Sequence, residues 1–427
     1  MGTRDIKADI VVFMLTTLLS TTAAAGSLVD DLYDDYGVEI NGFADLRGGS
    51  RLQTDPNEKQ TSLGETRFRL DANTYFGETL FTFKGELLAD GVTEDVEVEL
   101  RELSLVASPL DNMDIKLGRS VFTWGTGDML FINDTFAKDW QSFFIGRDEQ
   151  YLKYPSNALK LSLFFDTVNM DIIYSPLFEG SRFVSGERLS YFNPAAGKIV
   201  GRNMEMDPEE PDTLFSDGEI HGRLSKNIGG MEVALYGYSG FWQEPEGYLP
   251  EQQTGYYPRL NVWGGSIRSA LLGGVGNIEA GYYDSIDNPD SDNPFVRPSE
   301  IRLLVGFERE LAHELTGGFQ YYVESIRHYD NYRQALPAEA HSRDENTGTL
   351  TLRLTKLLLE QNLNLSLFIY YSPDRNDGYA RPKFSYKLTD QWLIDGGFNL
   401  FWGEDEYTFW GQFQDNSNIY AGLRYSF

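Results

Sequence analysis

The chain has 427 residues, no Cys, 14% aromatic residues and a formal net charge of −29. The lack of Cys excludes a disulfide framework and thiolate metal sites, and the negative charge argues against nucleic acid or an anionic membrane surface as a partner. The mean hydropathy of −0.38 and the lack of any run of about 20 apolar residues after the N-terminus argue against membrane-spanning helices.

The N-terminus predicts a signal peptide over residues 1–25. A weakly basic start precedes an apolar stretch at residues 10–19, and three alanines that end at Ala25 offer a small-residue cleavage site. A single membrane anchor is the alternative, but an apolar core of about ten residues is too short for a span. We expect residues 26–37 to be a periplasmic segment and residues 38–427 to form one outer-membrane β-barrel.

From residue 38 onward one pattern repeats: a segment of alternating apolar and polar residues, a short turn, a second alternating segment and a longer polar connection. Alternation with period two predicts β-strands with one apolar face. We predict about 18 strands, with 16 as the alternative because short strands are the least secure predictions. They cover residues 38–46, 63–76, 79–88, 96–107, 113–121, 158–165, 168–174, 218–226, 231–241, 259–271, 277–284, 300–309, 315–324, 347–356, 362–371, 378–388, 391–402 and 418–427.

The connections are sorted by length, since short turns follow the even strands and most of the longer connections follow the odd ones. This asymmetry is typical of an outer-membrane barrel with short periplasmic turns and long extracellular or inward-folded loops. A soluble sandwich has no reason to sort its loops, and a propeller would show a blade repeat. We therefore predict an all-β fold, a closed antiparallel transmembrane β-barrel.

The last predicted strand alternates up to a terminal Phe427. An exposed strand edge invites aggregation, and pairing with the first strand removes that edge. An edge strand of a sandwich is the alternative. The strand resembles the C-terminal signature of bacterial outer-membrane proteins. That resemblance implies the outer membrane of a Gram-negative-type cell, contact with outer-membrane lipid and lipopolysaccharide, and recognition by the barrel-assembly machinery through Phe427.

Charged residues alternate with the apolar ones, so we expect them to face a wet lumen. Ion pairs that stiffen the wall explain most of them, and a charged path for a polar solute is the functional alternative. The candidate pore or constriction residues on strands are Arg67, Arg69, Arg223, Arg302, Arg353, Glu97 and Glu99.

Aromatic residues cluster near the predicted strand ends, which is typical of interfacial girdles. A sugar-binding aromatic track is the alternative role for a few of them. The girdle candidates include Trp124, Tyr257, Phe401, Trp410 and Tyr420.

The stretch after the fifth strand is the least strand-like. Residues 118–128 read Gly-Arg-Ser-Val-Phe-Thr-Trp-Gly-Thr-Gly-Asp, and Asp134 is predicted to cap a short helix that runs to Phe143. Over residues 118–140 the chain resembles large monomeric bacterial outer-membrane porins of the alginate-export type. Many of these carry a Gly-Arg…Trp-Gly…Asp motif before a loop that folds into the barrel.

The resemblance implies that Arg119, Trp124 and Asp128 lie at or near a constriction for polar, often anionic, solutes. However, strict alternation from Met113 places Arg119 on the lipid side. Either a bulge turns the side chain inward or it lies at the rim. A structural Arg–Asp clamp that holds the loop is the alternative to solute contact.

We expect two inward loops, residues 122–157 and 176–213, to constrict the pore. The basic first half of the second loop would then oppose lumen carboxylates. Acidic stretches at residues 206–212 and 284–292 are candidate sites for divalent cations, but neither has EF-hand spacing, which favours simple solvation of these carboxylates.

We expect no enzyme, no catalytic residue, no metal site and no cofactor. Of the four His, only His221 falls on a lumen-facing strand position, and no pair has metal-ligand spacing. The predicted function is a porin for passive diffusion of small polar or charged solutes. The alternatives are a non-conducting surface scaffold or adhesin, a sheath for an export or electron-transfer partner, and a barrel enzyme that depends on His221.

Overall fold

The computed structural model describes residues 33–338 and 340–427. The predicted signal peptide therefore lies outside the described residues. Within them, eighteen strands form one closed antiparallel sheet, so the predicted strand number and fold class are confirmed. The strands of this barrel are β1 (Glu39–Arg51), β2 (Thr61–Phe76), β3 (Thr79–Asp90), β4 (Asp95–Leu110), β5 (Met113–Val121), β6 (Pro155–Phe164), β7 (Asn169–Ser175), β8 (Glu219–Ile228), β9 (Met231–Phe241), β10 (Arg259–Leu271), β11 (Gly274–Ser285), β12 (Glu300–Ala312), β13 (Leu315–Ile326), β14 (Asn346–Leu358), β15 (Leu363–Ser372), β16 (Asp377–Lys387), β17 (Trp392–Trp402) and β18 (Asn418–Ser426).

The barrel closes between its first and last strands. β18 pairs with β1 in antiparallel register, with Leu423 opposite Leu46. Beyond the last strand, Phe427 exchanges two backbone hydrogen bonds of 3.0 Å with Gly42, and its ring stacks on Phe68 at 5.9 Å. Because every strand of the barrel has two neighbours, the barrel sheet, as far as the structure describes the chain, has no edge of unpaired backbone groups.

The two ends of the barrel differ in their connections. After the even strands the turns are two to four residues long, and we call this the turn end. After the odd strands the connections reach 43 residues, from 176 to 218, and we call this the loop end. Gly229 and Gly230 both have positive φ in the two-residue turn after β8, the turn geometry that matches the right-handed twist of the paired strands.

Alternate residues of each strand face outward and inward, as on β12. Leu303 and Val305 face outward with 49% and 55% of their area exposed, whereas Arg302 and Leu304 face the lumen and are buried. An apolar outer face of this kind suits lipid. The outward and inward assignment predicted from alternation therefore holds on this strand.

Two long connections fold into the barrel. The plug loop (residues 122–154) contains helix α1 (Trp140–Ile145) and a short 3₁₀ helix, and the cover loop (residues 176–218) contains a small hairpin. A second helix, α2 (Tyr329–Ala335), lies in another loop-end connection. No helix of residues 33–338 and 340–427 is long and apolar enough to cross a membrane.

The predicted cap of the plug-loop helix was wrong by one turn. Asp139, rather than Asp134, accepts a hydrogen bond from the backbone N–H of Ser142, and the helix continues to Ile145. Asp134 instead pairs with Lys138 at 2.9 Å. A carboxylate four residues before a Lys can either cap a helix or form an ion pair, and Asp134 forms the ion pair.

The largest apolar core lies inside the barrel. Phe143, Phe144 and Ile145 of α1 are 2% exposed or less and pack against the inner wall and the cover loop. Burying three such side chains stabilises the loop-end structure by several kcal/mol, at about 1.5–3 kcal/mol for each. The plug loop is thus part of the folded core.

Candidate functional site in the barrel lumen

Glu279 of β11 holds the first half of the plug loop. Its carboxylate is 1% exposed and accepts hydrogen bonds from the backbone N–H groups of Thr126, Gly127 and Asn133 at 2.7–3.1 Å. The Thr126 hydroxyl and the Asn133 amide add bonds of 3.0 Å. Hydrogen bonds to a buried carboxylate are stronger than neutral ones, so this one side chain fixes the loop at mid-wall.

Two glycines of the wall leave room for this contact. Gly264 and Gly281 lie directly opposite each other on β10 and β11. A Cβ at Gly264 would lie 1.8 Å from the Asn133 side-chain oxygen, and one at Gly281 would lie 2.7 Å from Ile132. The paired glycines are the sequence signal for a close backbone approach, which our prediction missed.

A second attachment lies two strands further along the same wall, where Gln320 of β13 both donates to and accepts from the backbone of Asp128 at 2.8 Å. The Asp128 carboxylate accepts a 2.8 Å bond from Arg353 of β14, which also pairs with Glu149 at 3.2 Å. Burial raises the pKa of Asp128, and Arg353 opposes that shift. The structure thus brings two predicted site residues, Asp128 and Arg353, into an ion pair that holds the plug loop. The clamp suggested for the motif would have used Arg119, which pairs with Glu179 instead.

A buried ion-pair network joins both loops to β2 and β3. Arg147 of the plug loop donates to Glu65 at 2.5 Å, and Arg188 of the cover loop contacts Glu65 and Asp90. All four side chains are 8% exposed or less. Removing one partner from such a network costs about 3–5 kcal/mol because it leaves a buried charge unpaired.

Tyr151 of the plug loop connects three charged side chains of the wall. Its ring lies under the guanidinium groups of Arg67 and Arg101, at 4.1 and 5.0 Å, and its hydroxyl donates to Glu86 at 2.9 Å. Arg69 pairs with Asp71 at 2.7 Å and reaches Gln150 of the same loop at 2.9 Å. Arg67 and Arg69 therefore hold the plug loop, in addition to facing the lumen.

A bulge occurs in β4 rather than at Arg119. The pairing of β3 with β4 skips one residue between Glu102 and Leu100, so Arg101 is the extra residue. Beside it, Glu99 lies 3.4 Å from Arg101 and 3.8 Å from Arg182 of the cover loop. Such bulges turn an additional side chain to one face, and here both Arg101 and Glu102 make lumen contacts.

Arg119 lies at the rim on the outer side of the wall. It is paired in register with Leu103, which is 41% exposed, and it forms a 2.7 Å ion pair with Glu179 at the start of the cover loop. This position matches the rim alternative of the sequence analysis. Arg119 therefore does not share the lumen site of Asp128.

Trp124 and His221 pack against each other inside the barrel. Their ring centroids are 6.1 Å apart, and His221 stacks on Phe136 of the plug loop at 4.2 Å. The Thr135 hydroxyl lies 3.0 Å from His221 Nδ1, and His221 is 2% exposed. These contacts make His221 a packing partner of the plug loop.

The remaining predicted residues have separate surroundings. Arg302 pairs with Glu300 at 2.8 Å and lies 3.7 Å over the ring of Tyr283. Arg223 pairs with Glu232 near the turn end. Glu97 is exposed near the loop end of β4.

The girdle assignment was wrong for five aromatic residues. Trp410 and Phe401 pack against Phe144 in the lumen core at 6.0 and 5.5 Å. Alternation alone did not separate these rings from lipid-facing ones, because an inward ring is unusual unless a loop fills the lumen. The five are Trp124, Tyr257, Phe401, Trp410 and Tyr420.

Above the plug loop lies an open cavity of about 610 Å³, which we call the vestibule. Its lining includes Trp140 of the plug loop, Trp242, Arg297, Arg343 and Tyr407. Trp140 donates through Nε1 to Glu244 at 2.8 Å, and burial raises the pKa of Glu244. The vestibule is therefore a polar and aromatic chamber at the loop end.

No group of three or more His, Asp and Glu side chains in residues 33–338 and 340–427 is placed to hold a metal ion. The suggested binding of divalent cations at the acidic stretches stays a prediction.

No protein-family model matches the sequence, and no curated protein sequence matches it. Solved structures do match over most of the chain. OccD3 (OpdP) of Pseudomonas aeruginosa is 11% identical, with 92% of this chain and 91% of that chain covered and a TM-score of 0.51.

Two further matches have lower TM-scores. The outer membrane channel DcaP of Acinetobacter baumannii is 11% identical over 91% of this chain and 97% of that chain, with a TM-score of 0.43. Salmonella typhi OmpF in complex with daunomycin is 9% identical with the same coverage and a TM-score of 0.46. At 11% identity the likeness to OccD3 shows the fold alone, and in this chain that fold is a closed 18-stranded barrel.

Proposed function

We propose that the protein is an outer-membrane channel through which small polar or charged solutes diffuse. The plug loop narrows the lumen, and the cover loop supports it from the loop end. The observation that carries the proposal is the attachment of the plug loop to opposite walls, through Glu279 of β11 on one side and Glu65 of β2, nine strands away in the barrel of eighteen, on the other. Loops held in this way set the width and the charge of a barrel lumen.

The wall below the plug loop supports this function. Lys84 and Lys116 pair with Glu102 at 2.8 and 2.7 Å while both Lys side chains keep about a third of their area exposed. Lys160 and Asp171 form a similar pair at 3.2 Å. Charged groups that remain accessible to water make a path for a polar solute.

The location and the partners belong to the same proposal. The chain would be exported by its predicted signal peptide to the outer membrane of a Gram-negative-type cell, surrounded by lipid and lipopolysaccharide. The barrel-assembly machinery would recognise its C-terminal strand through Phe427. The packing of that ring on Gly42 and Phe68 gives the last residue a defined place in the closed wall.

A second candidate, the non-conducting scaffold or adhesin, is favoured by one observation. The loop-end half of the lumen holds an aromatic core that includes Phe144, Tyr379 and Trp410. A core of this kind leaves less open cross-section than charged side chains in water.

Single-channel recording separates the two candidates. We expect the refolded protein in a planar bilayer to give discrete current steps, and Arg353→Gln to enlarge them because Asp128 and Glu149 lose their common cation. Arg223→Gln is the matched control, since its side chain is 22% exposed against 28% for Arg353. A folded barrel that gives no steps, with or without Arg353, would contradict the channel and favour the scaffold.

A further inference from the structure

We propose that the vestibule is a binding site for a neutral saccharide. The site is the cavity of about 610 Å³ between the plug loop and the loop-end connections, and ligand pockets for small molecules typically measure about 300–1,000 Å³. The inference names a solute class for the proposed channel and so rests on that function for its role in transport. The binding itself is measurable whether the barrel conducts or not.

The first observation is that aromatic rings from separate parts of the molecule line one water-accessible chamber. Trp140 comes from the plug loop, Phe192 from the cover loop and Trp242 from the β9–β10 connection, while Tyr407 and Phe409 come from the β17–β18 connection. Tyr407 and Phe409 are 43% and 53% exposed. Exposed rings collected in a concave mouth mark a ligand surface more than a packing surface.

The second observation is that most cations of the vestibule are already neutralised by close carboxylates. Arg297 pairs with Glu300 at 2.9 Å and with Glu246, and Arg343 pairs with Glu300 at 2.8 Å and with Glu324 at 3.0 Å. On the plug-loop side, Lys138 pairs with Asp134 at 2.9 Å. The lining therefore offers donors and acceptors side by side with little excess charge.

These two observations together select the class of ligand. An anion would have to compete with the carboxylates that hold the guanidinium groups, and a cation would have to compete with the guanidinium groups themselves. Sugar hydroxyls are neutral and both donate and accept, so they can bond to both members of a pair. The C–H face of a sugar ring is apolar and weakly positive, which suits the negative face of an aromatic ring.

The test is isothermal titration calorimetry on the whole barrel in detergent micelles. The neutral probes are maltotriose, cellotriose and raffinose, and trigalacturonate is the anionic probe of similar size. We expect at least one neutral probe to bind more tightly than trigalacturonate, with little difference between low and high salt. Tyr407→Ala should weaken that binding about fivefold or more because an aromatic contact is lost.

Phe295→Ala is the matched control, because Phe295 is also 43% exposed and does not line the vestibule. It should leave the affinity unchanged. A folded barrel that binds none of the three neutral probes, or binds trigalacturonate more tightly and in a salt-dependent way, would overturn the inference. Equal weakening by Tyr407→Ala and Phe295→Ala would overturn it as well.

The two proposals can fail separately. A barrel that binds a neutral probe but gives no current overturns the channel and leaves the saccharide site standing. A barrel that conducts but binds no neutral probe overturns the saccharide site alone.

Discussion

The two halves of the barrel interior contain the same types of charged residue in opposite environments. At the loop end, Arg147 and Glu65 are 8% and 2% exposed and connect a loop to the wall. At the turn end, Arg223 and Glu232 are 22% and 42% exposed and connect neighbouring strands. Exposed pairs contribute about 0–1 kcal/mol, whereas breaking a buried pair costs about 3–5 kcal/mol.

This difference shows that a lumen charge cannot be interpreted from its strand position alone. The alternation of residues places Arg67 and Arg223 equally in the lumen, but only Arg67 meets the plug loop, through Tyr151. The loop excludes water from one half of the barrel and turns solvated charges into parts of a folded core. The comparison can be tested by changing equivalent groups in the two halves.

The largest loss of stability should come from the replacement of Glu279. We expect Glu279→Ala to destabilise the barrel by about 3 kcal/mol or more, because three backbone N–H groups lose a charged acceptor. The plug loop should also become sensitive to protease in otherwise folded protein. Glu232→Ala at the turn end is the matched control and should cost less than about 1 kcal/mol. Thermal unfolding followed by circular dichroism measures both, and equal losses would contradict the difference between the halves.

The second largest loss of stability should come from the replacement of a wall glycine. Gly264→Ala places a Cβ 1.8 Å from the Asn133 side chain, and overpacking of this kind costs about 1–3 kcal/mol. Gly222→Ala is the control, because a Cβ at Gly222 meets nothing within 4 Å. We expect only the first variant to lower the unfolding temperature and to expose the plug loop to protease. If both variants behave alike, close contact at Gly264 does not hold the loop.

The smallest effect should be a pH dependence at Asp128. Burial raises the pKa of this carboxyl in the folded state, so the folded protein binds the proton more tightly than the unfolded chain. The contribution of Asp128 to stability should therefore increase as the pH falls through the raised pKa, and decrease as the pH rises through it.

Comparison of the wild type with Asp128→Asn, from neutral pH down through the raised pKa, isolates the contribution of Asp128 to stability. The wild type should gain stability relative to Asp128→Asn on acidification from neutral pH, as measured by the unfolding temperature. A relative loss would mean that the ion pair with Arg353 outweighs the cost of burial.

Part of the candidate site was predictable from local sequence. The resemblance carried by residues 118–128 implied an inward loop that contains Asp128, but the suggested Arg–Asp clamp would have used Arg119, which pairs with Glu179 instead. The partner that Asp128 has in the structure, Arg353, is 225 positions away. Nothing local pairs these two residues, since the contact depends on the path of the loop across the lumen.

The role of Glu279 was the main omission. Strand alternation gives Glu279 no more than a lumen-facing position, whereas the structure makes it the acceptor for a loop segment about 150 residues earlier. Gly264 and Gly281 beside it were readable as a site of close approach. The sequence does not show which backbone segment approaches these two glycines.

The sequence by itself determined the barrel: the number of strands, the closure between β1 and β18, the outward apolar face and the sorting of turns and loops. These features follow from period-two alternation and from turn length, which are local properties. Only the tertiary structure decided which lumen residues are buried and which stay in water. That division depends on where the plug loop excludes water, and the exclusion arises from contacts between distant segments that no local pattern encodes.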